Sequence, residues 1–138
     1  MDSIYNTFVP KGFSTVNAYI FAENPLELIN FYKAAFFATE IGRTERDGII
    51  LNCILQIGES CFMVSQARDE FLGMRSSFYL FTKDVDQLHT NAMKHGAQLV
   101  MNPADMDYND RQSGVIDPSG NYWWISKRFV EKPYTDDE

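Results

Sequence analysis

The sequence predicts an α+β fold made of two βαβββ modules, and three observations carry the prediction. NAYIFAENPLELINFYKAAFF at 17–37 is a short apolar stretch, a helix start and a helix with one oily face, and SFYLFTKDVDQLHTNAMKHGA at 77–97 repeats that order about 60 residues later. Alternation of period two dominates the stretches after the first helix, as expected of strands packed on one side. A polar, glycine-containing stretch at 66–74 separates the two copies as a linker.

Taken in order, residues 1–13 form a lead-in broken by Pro10 and Gly12, and strand one is expected over about 14–22. Asn24 can accept hydrogen bonds from the amides of a first helical turn, and Pro25 fits the first helical position, where its missing N–H costs nothing. Helix one then runs over about 25–37, with Leu28, Phe31, Tyr32 and Ala35 on one stripe. A strand at about 39–46 leads through the turn signal Asp47-Gly48 into a hairpin at 49–65, which turns at Gly58-Glu59. After the linker come strand five (about 76–83), helix two (about 85–95, capped by Asp84 or Asp86, with Leu88, Ala92 and His95 on its stripe) and strand six (about 97–101). A loop at 102–111 and a last pair of strands around Asp117-Pro118-Ser119-Gly120 complete the second copy. Module one therefore spans about 14–65 and module two about 76–128 of a single domain over 1–138. The tail after Phe129, VEKPYTDDE, is expected to fray.

Composition narrows the function classes. A chain of 138 residues with 45% hydrophobic and 14% aromatic residues is long enough for one sizeable core. Nineteen acids against twelve bases give a net charge of −7, which repels nucleic acid and attracts small cations. The longest apolar run falls short of the roughly 18 residues a membrane span needs, and MDSIYNTF has neither a basic start nor an apolar signal region. A soluble, cytoplasmic protein is expected, with no nucleic-acid or membrane partner. The hairpin places Cys53 opposite Val64 and Cys61 opposite Gln56, so the two thiols point to opposite faces and stay reduced.

Alternation also sorts the faces. Leu51, Cys53, Leu55, Ile57, Phe62 and Val64 make one continuously apolar face for helix one to cover, while Asn52, Ile54, Gln56, Cys61, Met63 and Ser65 make a mixed one. In strand one, Val16, Ala18, Ile20 and Ala22 contrast with Asn17, Tyr19 and Phe21. A sheet with helices on one face and rings and amides on the other predicts a ligand cleft on the second face, against the alternative of a face that is solvated or packs on another subunit.

The paired βαβββ order, NFY at 30–32, DVDQLHTNAMKHGA and the closing DPSGNYWWIS resemble the glyoxalase, bleomycin-resistance and extradiol-dioxygenase superfamily, also called vicinal oxygen chelate. VPKGFSTV at 9–16, Tyr19, and Asp110-Arg111 ahead of the DPxG turn resemble its PhnB-like branch, with the likeness covering about 9–128. The resemblance implies a U-shaped mixed sheet around a cleft with the helices on the outer face, a homodimer, and, in the enzymes, a divalent metal. The metal's usual ligands are His, Glu or Gln from the first and last strand of each module.

Carried over by that resemblance, the ligand places fall on Asn17, Met63, Phe78 and Trp124, which offer no imidazole, carboxylate or thiolate. A one-residue shift meets Val16, Ala18, Phe62, Val64, Ser77, Tyr79, Trp123 and Ile125, which also hold no metal. The sequence departs from the branch in other places. Asn17-Ala18 replaces its Thr-Pro pair, Phe37 a small residue and Asn121 a histidine. ADMDYNDR at 104–111 lacks the glycine turn and terminal acid of a calcium loop. It reads either as a lid, with Tyr108 giving a ring and Arg111 an anion partner, or as a plain surface loop in which Arg111 pairs with Asp110. His89 and His95 are expected to be a solvated helix residue and a helix C-terminal cation, so no nucleophile has a base and no catalytic residue is identified.

The reading that follows is a metal-independent, cofactor-free protein that binds an aromatic or amphipathic, tolerably cationic small molecule and leans away from being an enzyme. Its expected ligand contacts are Asn17, Tyr19, Phe21, Asn52, Gln56, Met63, Phe78, Tyr108, Arg111 and Trp124. The alternatives are a metal-dependent lyase, isomerase or dioxygenase of the same superfamily with atypical ligands, and a dimeric module whose cleft has no specific ligand.

Overall fold

A computed structural model describes residues 2–135, which form two compact units divided after Met74, each organised as βαβββ. In the first, β1 (Tyr19–Ala22), α1 (Pro25–Phe36), β2 (Thr39–Arg46), β3 (Ile49–Ile57) and β4 (Ser60–Gln66) give a sheet of order β1-β4-β3-β2. In the second, β5 (Ser77–Phe81), α2 (Val85–Lys94), β6 (Gln98–Asp105), β7 (Asp110–Ile116) and β8 (Tyr122–Arg128) give β5-β8-β7-β6. In each module the first and last strands pair in parallel and the remaining pairs are antiparallel. A short 3-10 helix, Asp2–Tyr5, precedes the first module.

The helix starts follow the sequence. Asn24 accepts from the Glu27 amide at 3.3 Å, and Asp84, rather than Asp86, accepts from the Gln87 amide at 3.1 Å. The caps stand at equivalent places in the repeat, which sets each helix across its own sheet. Leu28, Ile29, Tyr32 and Ala35 are fully buried against Cys53, Leu55 and Val64 of the first core, where the Tyr32 ring meets the edge of Phe62 at 5.6 Å. Val85, Leu88 and Ala92 do the same work in the second, with Val115 and Ile125. Helix α1 ends on Phe37, whose left-handed φ of 60° lets the Ala38 amide reach back to the Tyr32 carbonyl at 3.0 Å.

Two elements differ from expectation. Strand one begins at Tyr19 instead of about residue 14, because Asn17 Oδ1 accepts from the Ser14 amide at 2.7 Å while its Nδ2 donates to the Ser14 carbonyl at 2.6 Å. That local loop displaces the chain between two remaining contacts with β4, Cys61 N to Gly12 O at 2.8 Å and Met63 N to Ala18 O at 3.1 Å. The loop expected at 102–111 is mostly strand. Register shifts between Leu99 and Ala104 carry β6 on to Asp105, and a hairpin turn at 106–109 with Asn109 at φ 69° leads into β7. A hairpin turn therefore stands where the sequence allowed a lid.

Candidate functional site

Each sheet has one face covered by its helix and one that the helix leaves free, and strand register decides which side chains the free face carries. In the first module Tyr19 pairs with Met63 and Phe21 with Ser65, so these four share the free face with Asn52, Gln56 and Cys61. The Tyr19 and Phe21 rings lie 4.9 Å apart, and Phe71 extends the cluster 5.6 Å from Phe21. Gln56 Nε2 donates to the Gly58 carbonyl at 3.0 Å. Cys61 is buried under the lead-in: a Cβ on Gly12, at φ +89°, would stand 2.4 Å from its sulfur, so only glycine lets the chain cross there. Ser65 is 1% exposed and its hydroxyl has no hydrogen-bond partner among the described residues. Asn17 lies outside the strand, exposed, with its amide committed to Ser14.

In the second module Tyr79 pairs with Trp124 and Phe81 with Ser126, and across β7 these strands meet Gly114, Gln112 and Asp110. Trp124 spreads across β7 because Gly114 has no side chain; a Cβ there would lie 2.8 Å from the ring. The indole donates to Ser77 Oγ at 3.0 Å and stacks on Tyr122 at 6.1 Å. Tyr79 and Phe81 repeat the Tyr19 and Phe21 pair at 5.3 Å. Tyr108, in the β6–β7 turn, donates to Gln112 Oε1, and Gln112 Nε2 donates to Ser126 Oγ at 2.8 Å.

Asp110 is the buried charge of this face. Arg128 Nη1 donates to its Oδ1 at 3.0 Å, and the hydroxyls of Tyr79 and Tyr134 donate to its Oδ2 at 2.5 and 2.6 Å. Burial pushes its carboxyl up, but the Tyr134, Tyr79 and Arg128 bonds outweigh burial and hold it below the usual carboxylate range. Burial, then the hydrogen bond to Asp110, pushes the Tyr134 phenol well above its ordinary value. The tail is therefore anchored as far as Tyr134, against the expectation that it frays after Phe129; residues 136–138 lie outside the described residues.

Besides Asn17, two residues expected at this site sit elsewhere, and one helix residue departs from its expected exposure. Phe78 pairs with Trp123, not Trp124, and its ring lies tilted against that indole at 4.7 Å on the helix-covered face. A one-residue difference in register moves a side chain to the other side of the sheet, so Tyr79 takes the place expected for Phe78. Arg111 also lies on the helix side, bonded to Asp86 of α2 at 3.0 Å and to Asp105 at 2.8 Å, while Asp110 takes Arg128. His89 is buried rather than solvated, with Nδ1 2.9 Å from Ser113 Oγ, and burial pushes its pKa down. That serine and histidine are within reach of each other, but both are buried where α2 packs on β7. His95 is the C-cap of α2, at the helix end where it was expected, but it is exposed, and His89 rather than His95 joins Leu88 and Ala92 on the buried stripe.

Tyr19, Met63, Tyr79 and Trp124 occupy the facing positions of the first and last strands. They offer two phenols, a thioether and an indole, which do not fit zinc, nickel, iron or manganese. No group of three His, Cys, Asp or Glu side chains among the described residues is arranged to hold a metal. No helix among them is long and apolar enough to cross a membrane.

No family model matches the chain. It is 27% identical over 128 residues to an uncharacterized protein of Mycobacterium bovis, covering 84% of each. Among solved structures it superposes on TioX from Micromonospora sp. ML1 with a TM-score of 0.70 at 19% identity, over 87% of this chain and 100% of that one. A glyoxalase/bleomycin resistance protein/dioxygenase family enzyme from Burkholderia phytofirmans gives 0.62 at 23% identity over 86% and 98%. The PhnB protein of Bacillus cereus gives 0.64 at 14% identity over 83% and 99%. The chain therefore has the fold seen in members of the glyoxalase, bleomycin-resistance and dioxygenase superfamily, a PhnB protein among them.

Proposed function

We propose that this is a metal-independent binding protein of the glyoxalase and bleomycin-resistance type, its two modules acting as one domain. It holds an aromatic or amphipathic small molecule on the ring-bearing faces that the helices leave free. One observation carries the reading: Tyr19 and Phe21 with Met63, and Tyr79 and Phe81 with Trp124, recur at equivalent register in both modules, and both modules set apolar or aromatic groups where the fold's enzymes set metal ligands. Exposed ring pairs stack on a planar ligand, and a net charge of −7 raises the local concentration of a cationic one.

A thermal-shift screen of planar and cationic molecules, run with and without nickel, zinc and manganese, tests the reading. A ligand at a hundredfold excess over Kd should add about 2.7 kcal/mol of stability, equally in the presence of a chelator. Trp124→Ala should weaken that ligand by roughly 2 kcal/mol, measured by calorimetry, because it removes a ring already pinned by Ser77. Stabilisation that appears only with metal, or an affinity untouched by the substitution, would overturn the assignment.

The same reading includes a homodimer in the cytoplasm. Val16 and Phe8 are each 86% exposed, and Ile41 on the edge strand β2 and Leu99 on the edge strand β6 are exposed, which leaves apolar area for a partner copy. An obligate interface buries on the order of 2,000 Å² or more. Sedimentation should give twice the chain mass of 15.9 kDa at micromolar concentration, and a monomer there would refute the dimer.

A further inference from the structure

The tail of the chain places a phenol in a seat whose walls belong to the second sheet. Tyr134 is the only group of the tail that donates to Asp110 among the described contacts, and every surface it meets is chemically matched to a phenol. Its hydroxyl donates to a fully buried carboxylate, the Arg128 guanidinium lies 4.1 Å from its ring centroid, and the Tyr79 ring meets it edge-on at 6.5 Å and 86°. An acceptor at the rim, a cation over the face and an aromatic wall are the three contacts that select a hydroxylated ring over a plain one.

The tether contributes separately from the seat. Arg128 holds the tail through the Lys132 carbonyl at 2.8 Å and the Pro133 carbonyl at 2.9 Å, and residues 129–135 form neither helix nor strand. The Tyr134 ring remains 52% exposed, so its outer side opens to solvent. Seating the ring requires no backbone pairing by Tyr134 itself. The attached ring holds its place by effective concentration, of millimolar order for a short link, which a free phenol must match or outbid.

We propose that Asp110, Arg128 and Tyr79 form a phenol-binding seat on the free face of the second module, filled in this structure by the ring of Tyr134 and open to phenolic small molecules when that ring withdraws. The inference rests on the reading of this face as a binding face, and it names the ligand chemistry the face prefers. The tail thereby acts as a resident competitor: a ligand carrying a phenol displaces it and gains the carboxylate, and a ligand without one does not.

The test uses the full-length chain with p-cresol as the probe and toluene, the same ring without the hydroxyl, as its control. By calorimetry, Tyr134→Ala should bind p-cresol at least tenfold more tightly than the wild type does, and at least tenfold more tightly than it binds toluene. Tyr134→Phe, which keeps the ring but loses the hydroxyl bonded to Asp110, should bind p-cresol more tightly than the wild type and less tightly than Tyr134→Ala. In the wild-type chain, saturating p-cresol should sharpen the backbone amide resonances of Glu131, Lys132, Tyr134 and Thr135 as the tail is released, and toluene should not. Equal affinity of Tyr134→Ala for p-cresol and toluene, no gain over the wild type, or tail resonances that p-cresol leaves unchanged would each overturn the seat. If those results come with planar cations still binding through Trp124, the seat falls and the binding face stands. If neither class of probe binds, both fall.

Discussion

Replacing Asp117 with alanine should destabilise the protein by about 3 kcal/mol or more, the largest loss expected from any single surface-turn residue here. The turn it opens reads as an ordinary Asp-Pro-Ser-Gly reversal, yet its carboxylate is buried and fully used. Oδ1 accepts from the amides of Ser119 at 2.9 Å and Asn121 at 3.0 Å, and Oδ2 accepts from Asn121 Nδ2 at 3.0 Å and from the Trp123 indole at 2.9 Å. Asn121, itself buried, passes the arrangement on by accepting from the Ser76 amide at 2.9 Å, immediately before β5. Alanine would orphan several buried donors at once and release the β7–β8 hairpin from β5. Urea unfolding should show the midpoint falling with the slope unchanged, and near-ultraviolet circular dichroism should show the Trp123 signal weakening. A loss under 1 kcal/mol would mean the turn closes without its carboxylate.

Asp110→Asn should cost about 2 kcal/mol or more, because the Arg128 charge beneath the tail would lose its counter-charge while the two phenols keep only a neutral acceptor. The pH dependence has a definite sign. The folded-state pKa of Asp110 is lowered, so its contribution is fully present above the unfolded value of about 4 and drains away as pH falls from there through the folded value. Wild-type stability should therefore decline on the acid side of pH 4 more steeply than that of Asp110→Asn, and the two curves should converge. Parallel curves in urea titrations between pH 2 and 7 would contradict the arrangement.

Most of the fold was legible because its signals are local. Asn24-Pro25 and Asp84 mark helix starts wherever they occur before an apolar stripe, and Asp47-Gly48 marks a turn irrespective of what the rest of the chain does. The site was harder to read because it depends on register between strands far apart in sequence. Asn52, Gln56 and Met63 lie on the free side of their sheet, where the polar groups of β3 set the phase, and Tyr19, Phe21 and Trp124 lie on the free sides of theirs by register. Phe78 does not, since FYLF is apolar throughout and alternation cannot choose its phase. Arg111, which follows Asp105, Asp107 and Asp110 in sequence, also bonds Asp86 on α2, and nothing local to Asp86 announces that pairing. Tyr134 was beyond reach for the same reason: a polar tail carries no periodic signal, and its anchor stands 24 residues away.

The parallel pairing of first and last strands in each module has a consequence for how the chain is made. Among the described residues β1 pairs with β4 alone, and β5 with β8 alone, so an emerging module keeps its opening strand unpaired until its closing strand is complete. On the ribosome, β2, β3 and β4 can form as a meander of short-range hairpins, while β1 and the apolar stripe of α1 wait for Val64 and its neighbours to arrive. The first module can therefore close once about residue 66 has cleared the exit tunnel, before the second has been synthesised. A pause in translation just beyond the linker would shelter this protein, whereas one inside β3 would leave an unpaired strand and an oily helix face open to aggregation.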